Sequence, residues 1–261
     1  MRRFTAEYLE QTRRGMWEDS QAALAALRLD EAKTVLDVGA GTGELTRILR
    51  ENSPGQVLSL DADRSLLSQT ETPRLLGDAT RLPVADSVVE VVVCQALLVN
   101  LPTPAAALDE FVRVAQSRVG AIEPDNSAVT VESTVPAEPA LMASARRRYL
   151  CGVQTDPTFG DGRELFEHAG LDAITVQRYD HHQSIEPPYS DTAFEAVRRK
   201  ATGAGLKTRR ETMLAGNTTA EQFDQLREAW RAMGRTAVEQ MRNQEYCYSE
   251  TVPFYVTVGH V

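Results

Sequence analysis

The stretch Val35-Leu36-Asp37-Val38-Gly39-Ala40-Gly41-Thr42-Gly43-Glu44-Leu45 constrains this chain more than any other. Three glycines alternate with small residues directly after an apolar run, and Asp37 stands two positions before the first of them. Leu45, Ile48 and Leu49 then recur at helical spacing, so the glycines occupy a strand-to-helix turn. Glycine permits the sharp turn and removes the side chains that would hold a ligand away from the backbone. Amides at the start of the new helix are then free to bind a polar ligand. A glycine-rich turn alone does not name that ligand.

The rest of the chain supplies a setting for the turn. Residues 5–27 read as helix in two pieces that part near Gly15, with Asp19-Ser20 as a cap. Strands are expected over 34–38, 56–61 and 74–78, with a short helix at Leu66-Leu67. Val88-Val89-Glu90-Val91-Val92-Val93-Cys94 is the strongest strand, and its β-branched run suits a parallel strand covered on both faces. Thr103-Pro104 opens a helix with Leu108, Phe111 and Val112 on one face, and a strand over 118–123 follows. Val129 and Val131 hint at a further extended piece. Helices are expected near 137–150, 161–169, 191–202 and 219–243, and strands over 172–179 and 254–259. Thr218-Thr219-Ala220-Glu221-Gln222 carries capping-box patterns for the longest helix. The βαβα alternation predicts an α/β fold with a doubly wound parallel sheet. Acids and polar residues that end its strands (Asp61, Asp78, Gln95, Glu123) then lie on the ligand-binding edge.

Composition narrows the classes of partner. The formal net charge of -9 argues against a protein that coats nucleic acid with a basic surface. Cys94, Cys151 and Cys247 are widely spaced and odd in number, which suits reduced thiols in a cytoplasmic protein. The segment 1–17 carries Arg2, Arg3, Arg13 and Arg14 but no apolar core of a secretory signal, and no apolar run approaches a membrane span. The expectation is a soluble cytoplasmic protein with no membrane or nucleic-acid partner and no metal, since nothing has metal-ligand spacing.

Two ligands compete for the glycine turn. A dinucleotide fold asks for G-x-G-x-x-G, but here the position of the third glycine is Glu44, whose charge would repel a pyrophosphate. An NAD-dependent oxidoreductase is therefore disfavoured. The pattern D-x-G-x-G-x-G, with Asp61 ending the next strand, resembles the class I (Rossmann-like) S-adenosylmethionine-dependent methyltransferases. Within about residues 30–180, Gly77-Asp78-Ala79, Leu82–Ser87, Leu101-Pro102, the run Ala106–Val114 and Leu165–Leu171 also resemble that family. The nearest branch is methyltransferase type 11 (UbiE-like), which acts on small molecules. One departure stands out: Ala115–Gly120 replaces the Pro-Gly-Gly turn common before the fifth strand.

The resemblance implies a seven-stranded, mostly parallel sheet whose last strand is antiparallel. It also implies an N-terminal helical cap (1–29), a cofactor domain (30–182 and 251–261) and a helical insertion or lid (183–250). The implied cofactor is S-adenosyl-L-methionine, leaving as S-adenosyl-L-homocysteine. Asp37, Gly39, Ala40, Gly41, Thr42 and Gly43 would hold its methionine portion, Asp61 and Ala62 the ribose, Asp78 and Ala79 the adenine. Gln95 and Ala96 would lie near the sulfonium, and Met16, Trp17 and Tyr8 could form a flap. Methyl transfer to a small organic acceptor can proceed by positioning and desolvation alone, so no catalytic residue is marked. Glu123, Asn126, His181 and Tyr189 are the candidates for acceptor contact. His181 and His182 face opposite ways on an extended chain, so at most one of them serves. The basic runs 146–148 and 198–200, with Lys207, Arg209 and Arg210, read as solvated helix faces. An RNA or protein methyltransferase, or a non-catalytic partner subunit, are the alternatives.

Overall fold

The computed structural model describes residues 16–17, 21–156 and 159–261. The expected helical pieces before residue 21, the cap at Asp19-Ser20 and Tyr8 lie outside the described residues. The chain divides into two compact units: one from residues up to Asp125 with Thr158–Tyr179 and Pro253–Val261, the other from Asn126–Pro157 and Asp180–Val252.

The larger unit holds the doubly wound sheet. Its strands are β1 (Thr34–Val38), β2 (Gln56–Asp61), β3 (Arg74–Leu76), β4 (Val89–Gln95) and β5 (Ala115–Pro124). The order is β3-β2-β1-β4-β5, all parallel. Next to β5 runs the later half of β8 (Tyr248–His260), antiparallel, with Phe254 opposite Pro124 and His260 opposite Arg118. The strand β7 (Asp172–Ile185) pairs with β8. Among the described residues the sheet has eight strands in all, one more than the seven expected, and is mostly parallel with an antiparallel last strand as expected.

β4 is central because its sequence can be nothing else: Val91, Val92, Val93 and Cys94 are fully buried, covered on both faces. On one side Phe111 and Leu108 of α3 (Pro104–Val114) close the core. Before β1, a 3-10 turn over Gln21–Leu27 brings Leu27 against Gly120 on β5, where a β-carbon would meet Leu27 Cδ2 at 2.6 Å. The missing Pro-Gly-Gly turn has a simple consequence. α3 runs into β5 without a loop, Val114 ending one element and Ala115 starting the next.

Two further helices flank the nucleotide side of the sheet, α1 (Glu44–Asn52) and α2 (Arg64–Leu67). α1 buries Leu45, Thr46, Ile48 and Leu49, the stripe expected from its spacing. Asp63 caps α2 by accepting the amides of Ser65 and Leu66.

The smaller unit is mainly helical. It contains β6 (Thr130–Ser133), α4 (Glu138–Leu150), α6 (Asp191–Thr202), α7 (Ala204–Lys207), α8 (Arg210–Ala215) and α9 (Ala220–Arg242), while α5 (Arg163–His168) belongs to the larger unit. β6 pairs antiparallel with Tyr248–Thr251 of β8. Its core gathers Val197, Leu206, Met213, Phe223, Trp230 and Met241. The expected capping box is present: Thr219 accepts the Gln222 amide, and Gln222 accepts the Thr219 amide. α6 and α9 approach closely because Gly234 has no side chain, a β-carbon there falling 2.3 Å from Ala201 N.

The helices α7 and α8 were not expected. Their run 204–215 mixes polar and apolar residues without a clear stripe, and only Leu206 and Met213 are buried anchors. In the basic runs Arg147, Arg198, Arg199, Lys207, Arg209 and Arg210 are exposed as expected, and two members depart from a solvated face. Arg146 pairs with Glu250, and Lys200 turns inward to Glu138, whose side chain has no exposure. Among the described residues no helix is long and apolar enough to cross a membrane.

Candidate functional site

The glycine turn closes the carboxyl end of β1. Gly39, Gly41 and Gly43 have φ of 74°, 58° and 90°, so all three stand in the left-handed region. That explains the alternation: each second residue must reverse the chain, and a side chain there is strained. Gly43 caps α1 and offers no side-chain hydrogen bond to its first turn.

The turn is tied to the end of β2. Gly39 and Ala40 donate their amides to Leu60 O at 2.8 and 2.9 Å, and Gly41 donates to Asp61 Oδ2 at 2.8 Å. Gly43 donates to Ala40 O. Four amides of the turn thus have protein partners, while the amides at the start of α1, the ones expected to face a ligand, receive no side-chain cap. What the glycines provide is bare backbone at the sheet edge, with Thr42 and the uncapped first turn of α1 beside it.

Asp61 ends β2 and is 6% exposed. Its Oδ1 accepts the Asp63 amide at 2.7 Å and its Oδ2 the Gly41 amide. Each carboxylate oxygen has two lone pairs, so each retains one acceptor position for a ligand hydroxyl. Ala62, the next residue, is exposed. Asp37 is buried at the end of β1 and accepts the Thr46 hydroxyl at Oδ2, 2.6 Å away. Thr46 thereby locks α1 onto β1. No sequence pattern flagged it, though a hydroxyl on the buried stripe of α1 was the available signal.

Asp78 follows β3 and is exposed, while Ala79 is buried. Asp78 Oδ1 accepts both the amide and the hydroxyl of Thr80 at 2.8 Å, and these bonds hold its carboxyl below the usual range. The Gly77 amide donates to Asp61 O, which joins this loop to the same edge.

Gln95 ends β4, 2% exposed, and its Nε2 donates to Met16 Sδ at 2.6 Å. Ala96 has φ of 48° and donates its amide to Ile122 O at 2.8 Å. Trp17 lies against Tyr179, ring centroids 5.6 Å apart, and Tyr179 stacks on Phe254. Met16 and Trp17 are therefore buried parts of the larger unit.

Glu123 has a different place from that expected of an acceptor-contacting turn residue. It is 1% exposed at the end of β5. Its Oε1 accepts the amides of Leu97 (3.1 Å) and Leu98 (2.9 Å), and its Oε2 that of Val99 (3.2 Å). The Cys94 thiol donates to Oε1 at 3.7 Å. Burial pushes this carboxyl up to about 7, against the opposing pull of the three amides. The remaining candidates, Asn126, His181 and Tyr189, belong to the smaller unit. There His181 is buried beside Gln183 Nε2, 3.0 Å from its own Nε2, and Tyr189 donates its hydroxyl to Tyr246 O at 2.9 Å.

Asp37, the glycine turn, Asp61 and Gln95 meet along one edge of one sheet, in the arrangement that the class I S-adenosylmethionine-dependent methyltransferases share. Over this part of its length the chain is similar to members of that class. Residues 36–119, from β1 to β5, match a family model described as a methyltransferase domain. Demethylmenaquinone methyltransferase of Mycobacterium tuberculosis H37Rv is 32% identical over 133 residues, which is 50% of this chain and 53% of that protein. The chain thus spans about half the length of the curated relatives it matches. A candidate type II methyltransferase from Anaeromyxobacter dehalogenans superposes with a TM-score of 0.57 at 16% identity, covering 92% of this chain and 95% of that one. An S-adenosylmethionine-dependent methyltransferase from Archaeoglobus fulgidus gives 0.51 at 13% identity, covering 97% and 98%. At these identities the likeness of the two structures is one of fold.

Proposed function

We propose that this chain transfers a methyl group from S-adenosylmethionine to a small organic acceptor. The observation that carries the reading is the triple left-handed glycine turn tethered to Asp61 through the Gly41 amide. It brings bare backbone and a buried carboxylate to one sheet edge, with no third-glycine geometry for a pyrophosphate. The curated relatives are demethylmenaquinone methyltransferases, and a small organic acceptor is carried over from that name.

In this reading Asp61 accepts the two ribose hydroxyls, one on each oxygen, while Asp37 and the glycine turn hold the methionine end. Asp78 and Ala79 border the adenine, and Gln95 and Ala96 flank the path of the methyl group. The cofactor supplies an electrophilic methyl on a sulfonium and departs as a neutral thioether. The chain's own contribution is alignment of the acceptor and exclusion of water, which supplies most of what such a displacement needs. Buried carboxylates at the edge, Asp37 and Asp61, favour a cationic ligand over a phosphate.

Calorimetry with S-adenosylhomocysteine and with NAD tests the cofactor. Binding of the thioether and none of NAD is the expected result; the reverse would sink the reading. Labelled-methyl transfer into small-molecule, RNA and protein fractions of an extract then tests the acceptor class, with label expected in the first. Label in the RNA or protein fraction alone would overturn the acceptor class.

A further inference from the structure

The loop after β4 is held from inside the sheet, and the holder also reaches the glycine turn. Three consecutive amides, Leu97, Leu98 and Val99, converge on the two oxygens of Glu123. The chain reverses just before them, at Ala96 with φ of 48°, and Asn100 Nδ2 closes the loop by donating to Ala96 O at 2.8 Å. Of the three residues whose amides are bound, Leu97 also touches the site. A β-carbon built on Gly39 falls 2.9 Å from Leu97 Cδ1 and 3.2 Å from Cδ2, so this side chain covers the first glycine of the turn. One carboxylate at the end of β5 therefore sets both the backbone beyond Gln95 and the surface lying on Gly39.

We propose that Glu123 is a positioning residue of the methyl-transfer site, its carboxylate fixing the loop of residues 96–100 and, through Leu97, the glycine turn. The proposal rests on the reading of that turn as the S-adenosylmethionine site. Three amides pointing at one carboxylate need an anion; a neutral acid adds a donor where only acceptors fit. A carboxyl buried here resists ionising, so the loop is held best when Glu123 gives up its proton, at and above neutral pH. The titratable groups packed about it are the Cys94 thiol on β4 and Tyr255, its cross-strand neighbour on β8. Burial first, then the charges of Glu123 and, at longer range, Asp37 on β1, push the Cys94 thiol up, so that thiol stays a neutral donor. Glu123 is left as the group that changes charge near neutrality.

The test uses the full chain, S-adenosylhomocysteine as the probe, and the variants Glu123→Gln and Leu97→Ala. Thioether affinity is followed by calorimetry from about pH 6 to about pH 8.5, and amide exchange at Leu97, Leu98 and Val99 by NMR. Glu123→Gln keeps the volume and is expected to melt cooperatively, yet its amide group opposes one N–H. It is expected to speed exchange at the three amides by about tenfold or more. It also weakens thioether binding and removes the wild-type gain in affinity as pH rises through neutrality. Leu97→Ala weakens binding while leaving the pH dependence in place. Affinity, pH profile and exchange in Glu123→Gln all equal to wild type would overturn the proposal. Wild-type protein that binds no thioether at any pH would instead overturn the cofactor reading, and the exchange arm would still report on Glu123.

Discussion

The Gly41 amide and Asp61 Oδ2 stand 2.8 Å apart, twenty residues from each other in the chain. This bond makes the glycine turn and the end of β2 one rigid edge. In the proposed site Asp61 serves twice: it holds the turn by accepting the Gly41 amide and keeps acceptor positions for a ligand. Replacing Asp61 by Ala removes the tether along with the charged acceptor. A hydrogen bond to a charged group contributes about 1.5–3 kcal/mol, so at least a ~10-fold loss of S-adenosylhomocysteine affinity is expected. Calorimetry checks it. Unchanged affinity would mean that the ligand is held elsewhere.

The turn, the central strand and the flanking helices were legible because each is written in a local pattern. Left-handed backbone at every second residue demands Gly39, Gly41 and Gly43, and a strand buried on both faces demands the valines of β4. Long-range partnerships left no such trace. Nothing adjacent to Glu123 says that it accepts amides about 25 residues earlier in the chain, and its neighbours Pro124 and Asp125 read as an exposed turn. β7 and β8 run beyond their expected limits for a related reason. Asp180, His181, His182 and Gln183 lack the apolar alternation of a strand, and Pro253 looks like a strand start. In the structure Pro253 falls where β8 changes partner, from Thr130 opposite Thr251 to Pro124 opposite Phe254, and a residue without an N–H is tolerated there.

Lys200 illustrates the same limit and yields a second prediction. In sequence it ends a basic run; in the structure its Nζ donates to Glu138 Oε1 at 2.6 Å and lies 3.7 Å from the centre of the Tyr248 ring. Tyr246 and Ser133 donate their hydroxyls to Glu138 Oε2 at 2.9 and 2.7 Å. Breaking such a buried pair from one side costs about 3–5 kcal/mol, because the other charge stays buried. Glu138→Ala is therefore expected to lower the urea midpoint sharply. Adding Lys200→Met is expected to recover part of the loss, since an apolar chain of similar length replaces the stranded ammonium. A double variant no more stable than Glu138→Ala would show that the hydroxyl partners, not the charge, carry the cost.

Glu123 makes the last prediction one of sign. Its carboxyl is pushed by burial from 4.5 to about 7 in the folded chain. Below about pH 4.5 both folded and unfolded chains hold the proton, and its contribution to stability is fully present. Between there and about pH 7 the unfolded chain releases the proton while the folded chain keeps it, so this contribution is lost as pH rises. The loss amounts to roughly 3 kcal/mol at most. Asp78 works in the opposite direction, its carboxyl held low by Thr80, but its window lies below the usual carboxylate value of 3.8. Urea unfolding at about pH 5 and about pH 8 is therefore expected to show wild type losing more stability between the two than Glu123→Gln does. The loop gains order over the range in which the fold loses stability, so the charged carboxylate is maintained at the cost of the fold. Equal changes in the two proteins would mean that Glu123 is already ionised at pH 5, and that the loop is held in the same way throughout.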